Sequence, residues 1–149
     1  MTARDAAVWG ALALAAVSGV VGLFGLARWY RSQPSREFWL GVRAGQALAI
    51  AYGLLAGLLL LENDHPASTL YWLYALLPIA IGFVAEQLRL VAADQVLVAR
   101  DIENAQAIAD LPVDEQQAIV LAILRREMVV MALAAVVVCV LALRAAGTY

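Results

Sequence analysis

The sequence predicts an all-α integral membrane protein: four transmembrane helices with both termini outside, and a cytoplasmic helical hairpin extending spans 3 and 4. Three observations predict it. The 149-residue chain is 64% hydrophobic and 15% charged, against roughly 45–50% and about 25% in soluble domains. Its mean hydropathy of +0.82 exceeds what one small water-soluble core can hide, because short chains leave much of their surface in solvent. The apolar residues also gather in four runs, each near the roughly 20 residues that cross a bilayer.

The first run covers residues 6–27. It is too long for the apolar region of a signal peptide, and Thr2-Ala3-Arg4-Asp5 before it is not clearly basic, so it is read as a retained helix. The second covers 38–61 and is charged only at Arg43; the third covers about 70–90 and the fourth about 125–143. With the arm at 91–124 they make one four-helix membrane domain over 1–149. Arg28, Arg31 and Arg36 lie in or beside the first loop, and Arg89, Arg100, Arg125 and Arg126 flank the third. The other side holds only Arg4, Arg144 and the acidic turn Glu62-Asn63-Asp64-His65-Pro66. The positive-inside rule then places loops one and three in the cytoplasm of a cell whose plasma (inner) membrane holds the chain. Trp29, Tyr30, Phe38 and Trp39 are expected as the inner aromatic belt, and Trp9, Tyr71, Trp72 and Tyr74 as the outer one.

Span 2 carries Gly41, Gly45, Ala49, Gly53 and Gly57 at strict four-residue spacing. In lipid, small residues let helix backbones approach closely, so this row is read as a helix-packing seam. The preferred partner is span 1, with its own Ala11, Ala15, Gly19 and Ser18, Gly22 pairs. A neighbouring subunit is the alternative.

Helix rise collects charge in one layer. Glu86 lies about 24 Å from Leu70, Glu127 about 24 Å from Leu143, and Arg43 and Arg125 about 27 Å from their outer ends. With Arg89 and Arg126 they form a mixed-sign layer near the cytoplasmic face of a core about 30 Å thick. The favoured arrangement has the arginines reaching for headgroups and Glu86 paired with Arg89 on its own helix. The functional alternative turns Arg43, Glu86 and Glu127 toward a shared inner mouth. The middle of the membrane has no ionisable side chain, which disfavours a proton relay or ion-coupled transporter within one chain. Pro78 is expected to free the Tyr74 carbonyl and kink span 3.

Beyond Leu90, the apolar positions Val91, Val98, Ile102, Ala105 and Ala109 continue a helical period. The first leg of the hairpin is expected to run to Asp110, about 30 Å, and the second, from an Asp114–Gln117 capping box to Leu124, about 16 Å. The arm has six acids and one arginine, a net of −5. It is read as a solvated hairpin supporting an oligomer, with docking of a basic cytoplasmic partner as the alternative.

No nucleophile–base set, glycine-rich phosphate loop or metal-ligand spacing is found, so neither enzyme chemistry nor a metal nor a cofactor is expected. Glu62, Asp64 and His65 read as a turn, and Cys139 as a small apolar residue. An acidic arm disfavours nucleic acid. The expected function is non-enzymatic: helix–helix assembly in the bilayer, as a homo-oligomer or an accessory subunit of a membrane complex. The alternative is a homo-oligomeric channel for ions or small solutes with a charged cytoplasmic mouth.

Overall fold

The computed structural model describes residues 2–61, 66 and 68–149. They form α1 (Ala3–Tyr30), α2 (Arg36–Leu61), α3 (Leu70–Val98), a single turn α4 (Ala105–Ile108) and α5 (Val113–Thr148), with no strand among the described residues. All but α4 are long and apolar enough to cross a membrane, which makes this a multi-pass membrane fold. The acidic turn at 62–65 lies outside the described residues.

Each helix outruns the apolar segment inside it, because its ends are set by hydrogen bonding as well as hydropathy. Thr2 and Asp5 form a capping box at the start of α1, with Asp5 N–H donating to Thr2 Oγ1 (3.2 Å) and Thr2 N–H to Asp5 Oδ2 (2.8 Å). At the start of α2 the Ser35 hydroxyl accepts the Phe38 N–H at 3.3 Å. The far ends of α1 and α3 share one device. Ser32 (φ 53°) and Asp101 (φ 58°) take the left-handed conformation. Gln33 N–H then reaches Arg28 O, and Ile102 N–H reaches Leu97 O, both at 3.0 Å. Each is a Schellman closure built on a residue other than glycine.

That closure corrects the expected arm. The first leg stops at Val98 instead of continuing to Asp110. The apolar period persists, but Arg100-Asp101-Ile102-Glu103-Asn104 is polar enough to cap itself, and the Asn104 side chain accepts the Ala107 N–H at 2.9 Å. Asp114 is not a cap either: α5 begins one residue earlier behind Pro112, with Asp114 and Glu115 in its first turn. Gln116, not Gln117, reaches back, donating to Leu111 O at 2.8 Å. The second leg is therefore the longer one, its twelve residues before Arg125 rising about 18 Å against about 12 Å for α3 beyond Leu90.

Packing is uneven. α5 is the central helix, packed along α1 on one side and α3 on the other, while α2 leans on α1 and meets α3 and α5 only sparsely. Lipid is as apolar as leucine, so close backbone approach and dispersion hold such helices, and small residues decide where they meet. A Cβ placed on Gly22 would lie 3.0 Å from the Val136 backbone nitrogen and 3.1 Å from the Ala132 carbonyl oxygen. One on Gly25 would strike the Phe38 ring. The tightest backbone approach is thus α1 on α5 at Gly22, with Gly19 against Cys139 and Gly25 against Ala132 beside it.

The α2 row behaves differently. Four residues turn a helix by 400°, so each step of the row drifts about 40° and the whole row about 160°. Gly41 accordingly faces Val21 of α1, Gly53 faces Ile79 of α3, and a Cβ on Gly57 would meet no atom of the described residues within 4 Å. The row spirals from α1 to α3 and then to an open face, and is not one interface. Phe38 and Tyr71, expected in the aromatic belts, instead lie in the core. Tyr71 packs edge-on against Trp72 and Tyr149 and meets the Tyr52 hydroxyl at 3.3 Å.

Candidate functional site

Two core clusters fill the bundle. One, around Leu14, Ala49, Tyr52 and Tyr71, occupies the end that holds the chain termini. The other, around Phe38, Val42, Met128 and Met131, occupies the hairpin end. Between them lies a narrow chamber of about 40 Å³, walled by members of both clusters and by Ser18, Gly45, Pro78 and Gly82. The chamber abuts an outward cleft between α2 and α3, with which it shares Gln46, Ala49, Pro78 and Gly82. Glycine and alanine make the walls thin on both sides, and proline at 78 keeps the third helix from offering a longer side chain there.

Glu86 closes the hairpin end of this cleft. Its Oε1 accepts from Arg43 Nη1 at 2.6 Å and from Gln46 Nε2 at 2.8 Å, both on α2. Arg43 Nη1 also donates to Gln46 Oε1 at 2.7 Å. On its other side, Glu86 Oε2 lies 3.2 Å from Arg89 Nε, a charge contact off the hydrogen-bonding line. The local Glu86–Arg89 pair expected from the sequence therefore exists, but it is half of a bridge that spans two helices. Opposite charge on both sides and two side-chain donors are the compensation that a carboxylate in apolar surroundings needs.

The remaining layer residues also reach across helices. The Arg89 guanidinium sits 5.4 Å from the Trp39 ring centre on α2, and Arg125 5.6 Å from Trp29 on α1. Arg126 Nη1 donates to Gln95 Oε1 of α3 at 3.4 Å. Each arginine of the layer is thus tied to a helix other than its own, directly or through its aromatic face. Glu127 is the exception. It feels the charges of Arg89 and Glu86 but forms no ion pair among the described residues.

Sequence reasoning placed these six residues at one level with Gln46 among them, but did not read Gln46's bonds to Arg43 and Glu86 or the chamber. Gln46 follows Arg43 by three positions, which puts both on one helix face, and that spacing is the signal that was available. Nothing in the order of residues announces the chamber, because an unfilled volume depends on how four helices meet. Comparison with family models, with curated proteins and with solved structures finds no match for this chain.

Proposed function

We propose that this chain is a non-enzymatic membrane protein that works through helix–helix assembly, as a homo-oligomer or an accessory subunit of a membrane complex. Gly57 carries the reading. A glycine inside a helix costs about 1 kcal/mol relative to alanine, and in lipid the return is close approach of another backbone. Gly22 has such a backbone neighbour within the chain; a Cβ on Gly57 would meet no atom of the described residues within 4 Å. This glycine also stands in an outward row, Ile50, Leu54, Gly57 and Leu61, at the four-three-four spacing that helix pairs use. The exposed leucines alone decide nothing, since lipid accepts them. The open glycine among them is what a partner helix would use.

In this reading both termini face outward from the plasma (inner) membrane, the charge layer lies on the cytoplasmic side, and the acidic 91–124 arm supports the assembly from the cytoplasm or receives a basic partner. The Arg43–Glu86–Arg89 bridge serves as a lashing that fixes α2 against α3 so that the Gly57 face is held in place.

A photo-crosslinking residue at position 57 is expected to yield a protein adduct in native membranes, whereas the same residue at Val20, on the exposed side of α1, yields lipid adducts only. Lipid adducts alone at both positions would contradict the reading. The channel is the second reading, and Glu127 favours it as the one layer carboxylate outside the ion pairs; conductance that falls in Glu127→Gln would support it.

A further inference from the structure

We propose that the cleft between α2 and α3 binds the acyl chain of a single anionic amphiphile, with the chain entering toward the chamber and its carboxylate or phosphate held by Arg43. This site is separate from the Gly57 face.

The shape argues for a chain and against a helix. A chamber of about 40 Å³ has room for only a water or two by the usual measure, whereas a helix with side chains is about 10 Å across. Only the thin end of something slender can enter. The cleft outside it is walled by Ala49, Ile50, Ile79, Gly82 and Phe83, all apolar. Polar side chains stand only at its hairpin end, where Gln46 and Glu86 line it. An occupant must therefore be apolar along its length and polar at one end.

Charge then selects the head. Arg43 uses both protons of Nη1, on Glu86 and Gln46. Its Nη2 and Nε make no hydrogen bond among the described residues, and the side chain is 55% exposed. A guanidinium edge with three free N–H groups matches two oxygens of a carboxylate or phosphate. Glu86 is already engaged by Arg43, Gln46 and Arg89, so the carboxylate nearest the mouth is compensated before any ligand arrives. The Arg43–Glu86–Arg89 triad carries one net positive charge, which the nearby Glu127 opposes.

Native mass spectrometry of the delipidated full chain in mild detergent tests this, with oleate, dioleoyl-phosphatidylglycerol and dioleoyl-phosphatidylcholine as probes. One anionic molecule is expected to stay bound per chain, and phosphatidylcholine about tenfold less. Retention of oleate alone identifies a free fatty acid, and retention of phosphatidylglycerol identifies a membrane phospholipid; either supports the site. A Cβ on Gly82 would meet only Gln46 Cγ, at 4.0 Å, so the first carbon of Gly82→Leu fits without displacing backbone and the rest of its side chain occupies the cleft; it should abolish retention of every probe. Arg43→Gln should lower binding of the anionic probes about tenfold without affecting phosphatidylcholine. Gly57→Leu should change nothing here, whatever it does to assembly. Equal retention of charged and zwitterionic probes, or equal retention by wild type and Gly82→Leu at matched thermal stability, would overturn the proposal.

Discussion

Replacing Gly22 by leucine is expected to part α1 from α5 and cost the chain its folded bundle. The obstacle is backbone: the added carbon would meet the Val136 nitrogen and the Ala132 carbonyl oxygen at 3.0 and 3.1 Å, besides a Val136 methyl at 2.7 Å. Overpacking of a well-filled site costs about 1–3 kcal/mol for small additions, so alanine should lower stability measurably and leucine should exceed that range. Gly57→Ala supplies the contrast, because the added Cβ would meet no atom of the described residues within 4 Å. Removing a glycine from a helix interior there should leave monomer stability unchanged or raise it by up to about 1 kcal/mol. Denaturation in mixed detergent micelles, followed by circular dichroism, ranks the three variants. Equal midpoints for Gly22→Leu and wild type would mean that α1 and α5 do not meet as described.

The second large effect is expected from Glu86→Ala. Removing the carboxylate leaves Arg89, only 24% exposed, facing apolar helices without its counter-charge, and releases Arg43 and Gln46 together. Breaking a fully buried pair costs about 3–5 kcal/mol. Glu86 is 25% exposed and Arg43 55%, so solvent screening reduces this, and a loss of about 1–3 kcal/mol is expected. Arg43→Ala should cost less, about 0.2–1 kcal/mol, because its charge is largely exposed and Arg89 still compensates Glu86. A double-mutant cycle between positions 43 and 86 isolates the bridge from α2 to α3. Additive single effects would show that the two residues touch without holding the helices together.

The four spans were legible because their signal is local: about 20 apolar residues declare themselves whatever lies beside them. The charge layer was read by a similarly local rule, since helix rise is fixed. Partners across helices were not. From the sequence, Arg89 is the obvious counter-ion of Glu86, three residues along one helix. Arg43, 43 positions away, is brought in only by how α2 leans on the bundle. The glycine row of span 2 read as one seam because its spacing is regular, yet a four-residue repeat on a 3.6-residue helix must rotate from neighbour to neighbour. The close seam, α1 on α5, was obscured because α5 contributes Ala132, Val136 and Cys139, a four-three spacing that is not a row of small residues, and a valine stands where the backbones come nearest. Asp101 misled for a subtler reason. The apolar period around it is intact, and only its left-handed turn, which aspartate tolerates better than most residues, ends the helix.

Whether the chain acts as part of an assembly is tested most directly by the protein mass of the complex released from membranes in mild detergent, measured by light scattering with the detergent contribution subtracted. The account predicts either an integral multiple of the 15.9 kDa chain or one chain together with a stoichiometric second polypeptide, with the Gly57→Leu variant shifted toward the single chain. A mass of 15.9 kDa for the wild type, with no companion and no change in Gly57→Leu, would contradict it.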